Sequence, residues 1–200
     1  MGRPRRFDEQ RLLDVAQELF WTRGFDRTSV EDVAQASGVG NGSIYAAYTS
    51  KLGLFLAVFG RYCAGRVDLV DAVVRGHRGG FEDAVAHYLV EIVADCTGHE
   101  DRRGCLMLNS LAELGARFPE VVTIGGRSIA DMESILTRRV IRAIEDDEIA
   151  LTQEEAEALG APLVLVSQGL IQLSRTGTPV ARLRAIATTS SRMSALLGAA

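Results

Sequence analysis

Two hundred residues at 47% hydrophobic can bury a core without staples, and three cysteines with no CxxC pair exclude a disulfide scaffold and point to a reduced, cytoplasmic setting. The basic tip, Met1 to Arg6, leads into no signal-peptide pattern and no window reads as a membrane span of roughly 18 apolar residues, so no membrane partner is expected. The net charge of −4 runs against the basic footprint of a nucleic-acid binder, yet residues 1–51 carry seven basic and seven acidic side chains, leaving 15 against 19 in the rest.

Periodicity near 3.6 recurs in nearly every segment, and no alternating run is flanked by turns, so the expected class is all-α with about nine helices. The first helix spans about residues 9–22, with Leu12, Ala16, Leu19 and Phe20 on one stripe, Asp8 as N-cap, Phe7 and Leu12 as a hydrophobic staple, and Gly24 as the stop. Thr28-Ser29-Val30-Glu31 reads as a capping box opening a second helix, in which Thr28 and Glu31 satisfy first-turn N–H groups. Its core face is Val30, Val33 and Ala34, and Gly38 breaks it after about two turns. A third short helix carries Ser43, Ile44 and Tyr45 before Thr49-Ser50 caps a fourth. Longer helices are expected at about 51–75, 81–97, 104–116, 119–145, 153–174 and 179–197, separated by glycine, proline or polar clusters. The division is a head at 1–50, whose pattern extends to about 60, and a body at 51–200.

A short helix, a glycine-containing turn and a second short helix let an exposed helix enter a major groove about 12 Å wide. Ordinary helical hairpins share that spacing, so the residues must decide. Leu12, Leu13, Val15, Ala16, Leu19, Phe20, Gly24, Phe25, Thr28 to Val30, Val33, Ala34, Ser37 to Gly40, Gly42 to Tyr45, Tyr48, Ser50, Lys51 and Leu54, at their spacing, closely resemble the head of the tetracycline-repressor (TetR) family.

The resemblance implies a helix-turn-helix from about Ser29 to Tyr48, with Gly40 to Tyr48 as the recognition helix and double-stranded operator DNA as partner. Gly40, Asn41, Gly42 and Ser43 then crowd the end of that helix where free N–H groups attract phosphate and small side chains allow close approach. Tyr45 and Tyr48 offer hydroxyls and flat rings, and Thr28 and Ser29 stand at the start of the bracing helix. Lys51, the one lysine among 22 basic residues, occupies a helix N-terminus unfavourable to a cation unless an anion arrives, and reads as a phosphate clamp. Arg5 and Arg6 read as an arm toward backbone or minor groove. Two positions depart from the family. Ala47 and Tyr48 stand where many members have histidine and phenylalanine, and Asn41 stands where a basic residue is common. Asn41 is left with two roles, adenine reading or phosphate bonding.

Gly38-x-Gly40-x-Gly42 follows a helix and lacks the ending of a phosphate loop, and His77, His87 and His99 are dispersed, so neither nucleotide, metal nor other cofactor is expected. A helical-bundle enzyme is the alternative from another class, disfavoured because no Glu-x-x-His pair exists. Cys105 follows Arg102, Arg103 and Gly104 at an expected helix start, which leaves a reactive sensor thiol and a packed one both open; a similar Gly-Cys-Leu stretch recurs in a subset of TetR-like regulators, some of which sense through the cysteine while many others carry it as packing. An effector pocket for an unidentified small molecule is expected around Tyr62, Tyr88, Cys105, Met107 and Asn109. The last two helices, through Leu163, Val166, Leu170, Leu173, Leu183, Ile186 and Met193, are expected to build a homodimer interface. The function expected from all this is a homodimeric repressor released from a palindromic operator by a small molecule, or by thiol chemistry at Cys105.

Overall fold

The computed structural model describes residues 7–192, and the described residues form nine helices and no strand. Three short helices come first: α1 (Glu9–Arg23), α2 (Val30–Ser37) and α3 (Asn41–Tyr48). The body follows as α4 (Lys51–Gly76), α5 (Phe81–Thr97), α6 (Leu106–Leu114), α7 (Pro119–Glu145), α8 (Gln153–Arg175) and α9 (Val180–Ser190). Boundaries agree with the sequence expectation to within a residue or two, and α9 ends at Ser190 while its expected end, with Met193, lies outside the described residues.

Local chemistry sets the head. The Asp8 carboxylate accepts from the Arg11 N–H at 3.0 Å and opens α1, whose Leu12, Ala16 and Phe20 are buried. The capping box of α2 sits one residue later than the sequence suggested. Ser29 accepts from the Asp32 N–H, and the Asp32 carboxylate accepts from the Ser29 N–H at 2.7 Å. Thr28 is unavailable as a cap because it is fully buried, its hydroxyl donating to the carbonyls of Gly24 at 2.9 Å and Leu19 at 3.2 Å. Gly38, at φ +75°, ends α2 in the left-handed conformation that a turn into α3 requires. Ser50 caps α4 by accepting from the Gly53 N–H, and a Cβ on Gly53 would collide with the Tyr48 carbonyl oxygen, so only glycine permits this close α3 to α4 turn.

Two bodies of packing meet on α4. Its first half holds α1 and α3, and its remainder lies along α7 with α5 beside it. Aromatic rings carry the junction: Phe55 of α4 meets Phe20 and Phe25 of the head, each at 5.2 Å between ring centres, and Phe25 meets Phe118 of the body at 5.3 Å. Phe55 is 1% exposed, so truncating it to alanine costs about 3–5 kcal/mol. Arginine pairs cross the same boundary, Arg117 gripping both oxygens of Asp26 at 2.7 and 2.9 Å and Arg103 reaching Glu18 at 2.7 Å.

Helix α8 corrects one expectation, because by length and composition alone it is apolar enough to cross a membrane. Its inner side, including Leu159, Leu163, Val164 and Leu170, is buried against the rest of the body, and α5, α7 and α9 pack on it. The apolar character is therefore the pattern of a core helix, with a second uncharged stripe facing outward.

Candidate nucleic-acid interface

The recognition element is built from small residues. α3 begins at Asn41 without any side-chain cap on its first turn, Gly40 supplying only its carbonyl to Ser43 at 2.9 Å and Ile44 at 3.2 Å. Ile44 is 1% exposed and pins the helix to the head core, while Gly40, Asn41, Gly42, Ser43 and Tyr45 are exposed, Tyr45 by 44%. The outward face is thus an asparagine amide, a hydroxyl, a phenol and open backbone, with no charged group on the helix. Such a face fits a groove closely and bonds to base edges or phosphate without a net charge of its own.

The flanking residues have partners inside the protein. Tyr48 is half-buried, and its hydroxyl donates to Glu9 Oε1 at 2.8 Å, tying α3 to the start of α1. Lys51 sits with Nζ 4.4 Å from the centre of the Phe25 ring and 3.3 Å from the Asp26 carbonyl oxygen. These contacts hold the ammonium at the α4 N-terminus. Ser29 is engaged in the α2 capping box. Thr28, with no exposed surface, does not present its side chain to a phosphate, which corrects the expectation that it combines cap and contact. Arg5 and Arg6 lie outside the described residues.

Sequence reasoning missed Asp26. It lies in the α1 to α2 loop, where its carbonyl receives Lys51 and its carboxylate receives Arg117, whose guanidinium hydrogen bonds hold the carboxyl below its usual range. No local pattern signals a partner 91 positions away.

Four of the five expected effector residues are closed off from solvent. Tyr62, Tyr88, Cys105 and Met107 are all at most 9% exposed and packed in the core. A cleft of about 630 Å³ lies instead between head and body, lined by Phe20 to Arg27 on one side and by α6 and the end of α8 on the other; of the five, only Asn109 lines it. Asn109 donates to the Arg103 carbonyl at 2.8 Å and accepts from Arg175 at 2.7 Å. Cys105 is the N-cap residue of α6, and the Tyr62 hydroxyl donates to its sulfur at 3.4 Å while accepting from the Leu106 N–H. The two nearby arginines are turned elsewhere, Arg103 to Glu18 and Asp101, Arg102 to the Thr178 carbonyl. Burial pushes the Cys63 thiol up to about 12, and burial raises Cys96 as well. No group of three potential metal ligands comes together among the described residues.

The expected dimer residues divide by burial. Leu163 and Leu170 of α8 and Leu183 of α9, each at most 1% exposed, are spent in the chain's own core, where α5 and α7 pack on α8 and α9 packs on α5 and α8. Val166 and Ile186 are partly buried, and Leu173 is 39% exposed. Leu165, absent from the expectation, is 65% exposed and shares the outward side of α8. Alternation of inner and outer leucines within one continuous apolar run is hard to phase from sequence.

The model of the family described as bacterial regulatory proteins, tetR family, matches residues 12–58. The HTH-type transcriptional repressor ComR of Escherichia coli is 29% identical over 96% of this chain and 91% of its own. The putative mycofactocin biosynthesis transcriptional regulator MftR of Mycobacterium tuberculosis is 33% identical over 88% of this chain and 97% of its own. Among solved structures, a cysteine mutant of the TetR family transcriptional regulator CifR, complexed with 26-bp double-strand operator DNA, is 29% identical with a TM-score of 0.78, covering 96% of this chain and 98% of that one. The helix-turn-helix head, the all-helical body and these likenesses along nearly the whole chain agree, and the protein belongs to the TetR family of bacterial transcriptional regulators.

Proposed function

We propose that the protein is a homodimeric repressor that occupies a palindromic operator through its two α3 helices and is released by a small molecule acting between head and body. The observation that carries this reading is the exposed, uncharged, small-residue face of α3, held on a head that Ile44, Tyr48 and the aromatic junction keep rigid. In this reading Asn41, Gly42 and Ser43 meet base edges. Ser29, Gly40, Tyr45, Tyr48 and Lys51 serve the phosphates, and Arg5 and Arg6 form the arm. Lys51 leaves the weak carbonyl contact with Asp26 for a phosphate oxygen while keeping its place over Phe25. Relatives named as repressors and a neighbour bound to operator DNA support the repressor reading, and a DNA partner fits a cytoplasmic protein.

Dimerisation through α8 is supported by residues 158–174, which contain no charged side chain and present Leu165, Val166, Gly169 and Leu173 outward or half-outward. Effector release is supported by the head–body cleft, since a volume of about 630 Å³ suits a small molecule and both walls belong to parts that must keep register on DNA. Thiol sensing at Cys105 has less behind it, the residue being 5% exposed and its sulfur bonded by the Tyr62 hydroxyl.

An electrophoretic mobility shift with the DNA upstream of the protein's own gene tests the reading. A discrete complex that survives excess unrelated DNA is expected. Equal competition by unrelated DNA would overturn the assignment of sequence reading to α3.

A further inference from the structure

At the end of α4 remote from the DNA-binding head, one face of α4 (Asp71, Val74, Arg75) and one face of α7 (Ile135, Arg138, Arg139, Arg142) enclose a cavity of about 180 Å³. Four of its seven lining residues are arginines, in a chain whose net charge is −4. The basin lies about 30 Å or more along α4 from Lys51, at 1.5 Å rise per residue, which separates it from the α3 surface.

The charges in this basin are not balanced. Asp71 lies 2.7 Å from Arg75, and Glu148 accepts from Arg139 at 2.8 Å, while Arg138 and Arg142 have no ion pair among the described residues. Arg138 and Arg142 stand at i and i+4, where like charges repel. The C-terminal dipole of α7 favours the basic character of Arg142 in its last turn, but it does not account for three further arginines around one cavity.

A third arginine of the basin is largely enclosed. The Arg139 side chain is 10% exposed, with its guanidinium centre 5.6 Å from the Phe81 ring. Its Nη2 donates to Glu148 and, at 3.5 Å, to the Gly79 carbonyl, whereas Nη1 is buried and has no hydrogen-bond partner. The Arg139 charge is held inside by Glu148 and the Gly79 carbonyl, and it adds to the positive field over the cavity without offering Nη1 to it. Val74 and Ile135 give the same cavity an apolar wall. Arginine forks suit planar carboxylates and phosphates.

We infer that this basin is a binding site for a small organic anion, its carboxylate or phosphate held by Arg138 and Arg142 in the field of Arg139, and its apolar part against Val74 and Ile135. The site is distinct from the head–body cleft and does not depend on the repressor reading. Calorimetric titration of the full chain at low ionic strength tests it, with inorganic phosphate, n-hexanoate and neutral hexanamide as probes. Saturable binding of phosphate or hexanoate at one site per chain, with hexanamide silent, is expected, and whichever anion binds more tightly identifies the headgroup. The double variant Arg138→Gln/Arg142→Gln changes two exposed side chains and should keep its helical circular dichroism while binding at least tenfold more weakly. Should the double variant lose its fold, Arg142→Gln alone serves, with a loss of at least threefold. No saturable heat with either anion, or unchanged affinity in the folded variant, overturns the site.

Discussion

Two helices leave a face uncovered, and the faces differ. α3 exposes an amide, a hydroxyl, a phenol and glycine backbone, while α8 exposes a stripe of leucine, valine and glycine. Neither face carries a charge, so total charge alone would rank them together. Hydrogen-bonding capacity separates them. A face that offers donors and acceptors on a narrow, close-approaching helix suits the polar floor of a groove, whereas a mainly apolar face, interrupted by the Gln172 amide, gains free energy by meeting another apolar face. The overall charge of −4 was a poor guide to the partner for this reason.

The largest expected effect comes from breaking the α8 side of this comparison. Leu165→Glu combined with Leu173→Glu places two carboxylates on the outward stripe while leaving the inner leucines in place. Light scattering should report a monomer, and operator affinity should fall by about a hundredfold or more as the two heads lose their linkage. Leu170→Glu is a poor version of this test, since that side chain is 1% exposed and its replacement disrupts the fold itself.

A smaller effect is expected from Lys51→Ala. Loss of a phosphate contact weakens binding about equally on all sequences and lowers the slope of log K against log salt by about one per residue, or about two for a dimer. The variant also gives up its contact with the Phe25 ring, so thermal stability is measured alongside. A salt slope like the parent's, in a folded dimer, would leave Lys51 with a purely structural role.

Smaller still, Ser29→Ala removes the α2 cap and should cost about 1 kcal/mol of stability, read as a lower denaturant midpoint. Thr28→Ala is the contrasting case: it removes a buried hydroxyl with two carbonyl partners and a buried methyl group. If Ser29→Ala were neutral while Glu31→Ala destabilised, the capping box would belong to Thr28 and Glu31 after all.

How far these elements were legible follows from the range of the interactions. Asp8, Gly24, Gly38 and Ser50 act within a few residues of themselves, and their roles in starting and ending helices were readable in the sequence. The Thr28 error was also local in appearance, because a hydroxyl next to a hydroxyl offers two candidate caps. What chose between them was burial of Thr28 against the carbonyl of Leu19, nine positions earlier. The bonds from Arg117 to Asp26 and from Tyr62 to Cys105 join residues more than 40 positions apart and leave no trace in spacing. In α8 a run without charges supplied the correct helix but not its phase, so Leu163 and Leu170 were assigned to an outward face and lie inward, as does Leu183 of α9.

The claim that α3 reads bases is tested most directly by binding the parent and Asn41→Ala to a library in which every operator position is randomised, at one fixed salt concentration. The account predicts a two-fold symmetric consensus with half-sites about 34–36 Å apart, and a loss of about 1–3 kcal/mol in Asn41→Ala confined to one base pair per half-site. An Asn41→Ala profile that matches the parent at every position, or that weakens all positions equally, would contradict it and make Asn41 a phosphate contact or a bystander.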